Sequence, residues 1–237
     1  RLVAHRLIEE MMIAANVAAA ETLEQHRTPL LYRVHDSPSP EKLLALREFL
    51  SSLNLSFSKT DAVRPVDFNR VLGKARSDGK IEQVSEMVLR SQAQAEYSAE
   101  NYGHFGLNLD RYAHFTSPIR RYADLIVHRA LIRALDLGRD GLSDEEAGRL
   151  DGIAQHISMT ERRAMLAERE TVDRLLAQFL MEQIGARFEG RISGVTRSGL
   201  FVRLFDTGAD GFIPASTLGA DYYRYVEDQQ AMIGDRS

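Results

Sequence analysis

Arg120 and Arg121 stand side by side in the stretch Ser-Pro-Ile-Arg-Arg-Tyr-Ala-Asp, residues 117–124. The spacing predicts a helix entered through Ser117 as N-cap with Pro118 as its first residue. A helix N-terminus carries roughly half a positive charge and favours acids, so two arginines there weaken the helix unless an anion is to be bound. Phosphate suits this arrangement: a guanidinium donates two parallel charge-assisted hydrogen bonds to it, and the open N–H groups of a helix start add to them. The competing reading is internal pairing, Arg120 with Asp124 four residues on or Arg121 with Asp124 three on, at about 0.2–0.5 kcal/mol each. Between Arg111 and Arg133 five arginines face one acid, and between Arg187 and Arg203 four face one glutamate.

Composition bounds what such a site can use. The chain has 237 residues, 44% hydrophobic and 27% charged, which is the balance of a soluble globular protein with one large or two ordinary domains. With no cysteine there is no disulfide, thiolate metal site or cysteine nucleophile, and any metal must be held by carboxylates or imidazoles. No apolar run approaches the roughly 18 residues that span a bilayer, and Glu9 and Glu10 fall where a signal peptide would be apolar. A cytoplasmic protein without membrane association is expected. The net charge of −4 means that nucleic acid would be held by local patches and not by bulk charge.

The elements that must position the arginines read as an α+β protein. Residues 3–27 carry helix formers with no Gly or Pro and a run of alanines, predicting a long, mostly buried helix. Residues 29–36 alternate and predict a short strand. Ser39 as N-cap, Pro40, Glu41 and the leucines at 43, 46, 50 and 53 predict a second helix. Shorter helices are expected over 65–76 and 81–98, and a long one over 144–184 that opens with capping-box spacing from Ser143 to Glu146. Near Gly185 the period changes to alternation punctuated by glycines at 190, 194, 199, 208 and 211. The division expected is therefore an α-rich unit over 1–184 and a small antiparallel barrel over 185–237. No further β-rich run is read after residue 222, so the barrel is expected to be incomplete.

The segments "HRLIEEMMIAANVAAA", "LYRVHD", "GHFGLNLDRYAHFTSPIRRYADLIVHRAL" and "ISMTERRAMLAERE" resemble the catalytic domain of the ribonuclease II (RNB) family. "GRISGVTRSGLFVRLFDTGADGFIPASTL" resembles the S1-type OB-fold that follows it. The resemblance implies part of a processive 3′-to-5′ exoribonuclease, a monomer acting on single-stranded RNA 3′ ends and releasing nucleoside 5′-monophosphates with Mg²⁺. The family's cluster of closely spaced aspartates, which holds the metal, has no counterpart in the sequence. Its ligands are expected upstream of Arg1, and the chain alone is expected to be inactive. A non-catalytic RNA-binding protein that retains both folds is the alternative.

The resemblance places Arg120 at the scissile phosphate and Glu9 among the residues lining the active site. Asn16 lies two helical turns after Glu9 on the same face and is a candidate contact to sugar or phosphate, or else a buried helix-pairing residue. Arg121 is left between phosphate and Asp124. Single-stranded RNA is gripped by stacking and by hydroxyl contacts, which makes His104, Tyr112, His114, Thr116 and Ser117 candidates, with Phe105 and Phe115 as core anchors and His128 packed in its helix. In the S1-like part, alternation sets Leu200, Val202 and Leu204 toward the core, leaving Phe201 and Arg203 for base stacking and phosphate contact. Arg162 and Arg163 read either as a solvated face or as channel wall.

Overall fold

The computed structural model describes residues 2–60, 62–219, 221–226 and 231–235. It has mixed helix and strand and falls into two compact units, Arg1–Glu161 and Arg162–Ser237.

In the first unit, α1 (Val3–Gln25) buries only Asn16, Ala19, Ala20 and Leu23. The expected mostly buried helix is therefore half exposed: Leu7, Ile8 and Met11 lie open, because the small residues that admit a close neighbour are confined to its C-terminal half. The short strand β1 (Tyr32–Val34) forms as the alternation predicts. Helix α2 (Pro40–Ser52) is capped by Ser39, whose hydroxyl accepts from the Lys42 amide, and buries Leu43, Leu46 and Leu50. With α3 (Pro65–Ser77) and α4 (Ile81–Ser91) it encloses a core of its own that includes Phe68, Val71, Val84 and Val88.

The helix expected to run to residue 98 stops at Ser91. Beyond it Gln92 is extended, and Glu96–Ser98 become strand β2, antiparallel to β1 with Arg33 opposite Tyr97. The Tyr97 amide donates to Ser158 Oγ at 3.0 Å, a tertiary bond that local propensity does not register. Helix α5 (Tyr122–Ala134) follows, then α6 (Asp144–Ala147) and α7 (Leu150–Met181). The single helix read over 144–184 is thus divided at Gly148. The Ser143–Glu146 capping box forms, and the Glu146 carboxylate also accepts from Arg129 of α5. That pair ties α6 to α5, the chain is redirected at Gly148, and Glu146 is held down to about 2 by its bonds to Arg129 and Ser143. The second core joins the end of α1, β1, α5 and the start of α7 around Leu23, Leu31, Ile126 and Val127.

In the second unit β3 (Gly190–Thr196), β4 (Gly199–Leu204) and β5 (Asp210–Pro214) form an antiparallel sheet in that order. A register shift lies between Ile192 and Gly194. Strands β6 (Tyr223–Val226) and β7 (Ala231–Gly234) pair as a ribbon, which overturns the expectation of no strand after residue 222. Tyr223, Tyr225 and Val226 are strand formers whose alternation is too short to stand out. Residues 227–230, 236 and 237 of that expectation lie outside the described residues. Among the described residues the strands make an open sheet and a ribbon, not a closed barrel.

Gly199 opens β4 at φ +153°, and a Cβ there would lie 2.1 Å from the Ile213 carbonyl oxygen. Gly199→Ala is expected to destabilise the β3–β5 sheet by about 2–3 kcal/mol. Thermal unfolding followed in the β-sheet region of circular dichroism reads this, and an unchanged transition would contradict it.

Candidate nucleic-acid interface

The Ser-Pro-Ile-Arg-Arg segment does not enter its helix as the spacing predicts. Residues 118–120 form a separate turn, in which the amides of Arg120 and Arg121 donate to the Ser117 carbonyl at 3.3 and 3.1 Å. Arg121 is then extended (φ −126°, ψ 121°) and caps α5, which begins at Tyr122. The arginines therefore precede the helix, and the acid expected at a helix start is present as Asp124.

Asp124 is completely buried. Its Oδ1 accepts from the Ser117 amide at 2.7 Å and from Arg121 Nη2 at 2.8 Å, and its Oδ2 accepts from Arg121 Nε at 2.7 Å. A carboxylate in this position is tolerable only with such charge-assisted partners. The open choice for Arg121 is resolved as an internal ion pair. Arg120 by contrast is exposed, with Nη2 3.5 Å from Ser117 Oγ. The turn holds one guanidinium inward as a strut and turns the other toward solvent.

The loop leading to this turn is tied down residue by residue. Tyr112 is buried; its carbonyl accepts from the Arg33 amide at 2.8 Å and its hydroxyl from Asn16 Nδ2 at 2.8 Å. The other end of the Asn16 amide, Oδ1, accepts from the backbone amides of Phe115 at 2.9 Å and Thr116 at 3.2 Å. Asn16 is 3% exposed and both ends of its amide are engaged, so it positions the loop from within and does not face sugar or phosphate. Phe115 stacks on His128 with centroids 4.3 Å apart, and its carbonyl accepts from His128 Nε2 at 2.9 Å. Thr116 Oγ1 is buried without a hydrogen-bond partner, an orphan hydroxyl immediately before the turn. Glu9 sits on the exposed part of α1.

His104 and His114 belong to a line of rings. His114 Nδ1 pairs with Tyr97 OH at 2.9 Å, its ring lies beside Tyr112, and Tyr112 lies beside His104. His104 Nδ1 accepts from the Leu107 amide, and His35, next to it, accepts from the Gly106 amide while bonding the Ala93 carbonyl through Nε2. Burial, reinforced by the charges of Arg121 and Arg33, pulls His114 down to about 3. Burial and the neighbouring His35 pull His104 down to about 4. Both are neutral at physiological pH and act as packing and hydrogen-bonding groups. Arg33 completes the support, bidentate to Glu161 at 2.7 and 3.2 Å with its guanidinium 4.6 Å from the Tyr97 centroid.

In the second unit Phe201 of β4 lies opposite Phe212 of β5. Their rings are 5.1 Å apart, 44% and 45% exposed. Arg203, on the same face as Phe201, pairs with Asp210 at 2.9 and 3.1 Å. Leu200, Val202 and Leu204, expected in the core, are only half-buried, as is Arg203. Open aromatic pairs on a sheet stack bases. Among the described residues no three histidine or carboxylate side chains come together to hold a metal, and no helix is long and apolar enough to cross a membrane.

An exposed arginine on a braced turn and a sheet with open aromatics are features compatible with nucleic-acid binding. Comparison with known sequences narrows it: residues 1–137 match the RNB domain and residues 182–237 the S1 RNA binding domain, and the chain belongs to the RNB family. It is 43% identical over 242 residues to ribonuclease R of Escherichia coli, covering 99% of this chain and 30% of that protein. It is 42% identical to ribonuclease R of Vibrio parahaemolyticus, covering 98% and 29%. The structure of Mycoplasma genitalium RNase R in complex with ribose-methylated single-stranded RNA superimposes with a TM-score of 0.88 at 32% identity, covering 99% of this chain and 37% of that one. The chain thus spans about 30% of the length of the curated relatives it matches.

Two outcomes follow from this geometry. Asp124→Ala removes the partner of a largely buried guanidinium and the acceptor of the Ser117 amide, and is expected to cost about 3–5 kcal/mol, read as a lowered urea midpoint; a loss below about 1 kcal/mol would contradict it. His104 and His114 take up protons near pH 6.5 in the unfolded chain but only near 4 and 3 in the folded one. Their contribution to stability is therefore complete above about 6.5 and declines as pH falls toward 4. Urea unfolding between pH 8 and 4.5 should show this decline, and His114→Gln should make it shallower.

Proposed function

We propose that the chain is part of a processive 3′-to-5′ exoribonuclease that hydrolyses single-stranded RNA to nucleoside 5′-monophosphates with a divalent metal such as Mg²⁺. The observation that carries this reading is the outward guanidinium of Arg120 on a turn fixed by Asp124, in a chain of the RNB family. Phosphodiester hydrolysis needs an activated water and stabilisation of charge on the phosphorus and the leaving oxygen. Arg120 supplies two donors to the non-bridging oxygens as their charge grows. Ser117 offers a hydroxyl beside it, the Thr116 hydroxyl being buried, and Glu9 on α1 is assigned to the 3′-terminal nucleotide or to orienting water. Metal ligation does not fit the described residues, so the metal is assigned to residues outside this chain, and the chain alone is assigned no hydrolytic activity.

We place the functional division at 184/185, beyond the 161/162 boundary of the two compact units, with this catalytic part before it and after it an S1 module in which Phe201 and Phe212 stack bases. Arg203 reaches phosphate only by exchanging Asp210, which makes it the lesser contact. The enzyme is assigned to the cytoplasm as a monomer, with RNA 3′ ends as its partner.

In the longer enzyme Arg120→Ala is expected to lower single-turnover RNA hydrolysis by 100-fold or more while RNA affinity changes less than about fivefold, the pattern of lost transition-state stabilisation. Near wild-type rates would refute the assignment. Deleting residues from Gly185 onward should weaken RNA binding and flatten its dependence on salt, measured as the slope of log affinity against log salt.

A further inference from the structure

Tyr122 and the first two turns of α7 enclose an open cleft of about 460 Å³ lined by Tyr122, Arg149, Gly152, Ile153, His156 and Ile157. Arg149 directly precedes α7, and these α7 residues recur at three- and four-residue intervals, so they form one face of the helix. Ile153 and Ile157 pack against the core below, while Arg149, His156 and the 51%-exposed Tyr122 stand at the rim. Gly152 leaves the middle of the face bare: a Cβ there meets nothing within 4 Å. Glycine in a helix costs about 1 kcal/mol relative to alanine, and here it coincides with the opening of the cleft. Arg149 lies 3.7 Å from Glu145 in a largely exposed pair, which an incoming anion can displace.

Neither the metal chemistry nor the Arg120 turn uses this cleft. Its volume is that of a small-molecule site. Two isoleucines and a tyrosine ring suit a flat heterocycle, and a guanidinium beside an imidazole suits a phosphate. We infer that the cleft binds one nucleotide unit, the base on Ile153, Ile157 and Tyr122 and the phosphate on Arg149 and His156. The unit is either a free nucleoside 5′-monophosphate or a nucleotide within single-stranded RNA. Tyr122, at the rim, follows Arg120 by two residues in the chain. The inference deepens the proposed function and rests on it.

The test is calorimetric titration of this chain with AMP, with ribose 5-phosphate and adenosine as partial ligands. AMP should bind at least tenfold more tightly than either. Arg149→Ala and Gly152→Leu should each weaken AMP at least tenfold; leucine is a good helix former, so Gly152→Leu should retain the wild-type circular dichroism, and Gly152→Ala should raise the melting temperature. Competition by a short oligoadenylate identifies RNA as the source of the nucleotide, and AMP binding without competition identifies the free nucleotide. Absence of AMP binding, or affinities within twofold of wild type in both folded variants, overturns the inference. If oligoadenylate still binds Gly152→Leu as it binds wild type while AMP binding is weakened, the cleft takes the free nucleotide and RNA is bound elsewhere. The Arg120→Ala turnover experiment bears on the proposed function alone.

Discussion

The buried carboxylate of Asp124 is the interaction on which the arrangement around Arg120 depends. With three donors from Ser117 and Arg121 it does two jobs that a helix start and a neighbouring loop would otherwise do separately. It supplies the negative charge favoured in the first turn of α5, and it fixes where the preceding turn leaves the helix. Removing either partner would leave a desolvated charge without compensation, which is far more costly than breaking a surface pair. The division of labour between two adjacent arginines follows: one neutralises the buried acid, and its neighbour, left without that option, faces outward.

A second layer of support comes from side chains that substitute for secondary structure. Residues 112–117 are neither helix nor strand, yet their backbone groups are bonded to Arg33, Asn16, His128 and Asp124. Buried backbone groups without partners are costly, so an irregular segment in this position requires such a set of donors and acceptors.

Much of the fold was legible because the signals were local. Ser39 and Pro40 with the leucine spacing specified α2, the Ser143–Glu146 box formed as spaced, and alternation located β3 and β4. What was not legible rested on partners far away in sequence. Strand β2 exists because Tyr97 pairs with Arg33 and Ser158, and α1 is half exposed because burial depends on neighbours and not on propensity. At the candidate site Arg120 stood out as a cation at an expected helix start, a placement that the separate turn at 118–120 removes, and resemblance added its partner residues. The inward pairing of Arg121, the conversion of Asn16 from a candidate contact into a brace, and the pairing of the Phe201 and Phe212 rings required coordinates.

The Asn16 clamp has a consequence for how the protein is made. Its bonds reach Tyr112 and Thr116 across 96 and 100 residues, and contacts of such separation form late, after the intervening chain has closed its loops. A nascent or partly folded polypeptide therefore carries Arg120 without the frame that aims it. Orientation of that guanidinium is a property of the finished domain, and an immature chain does not have it.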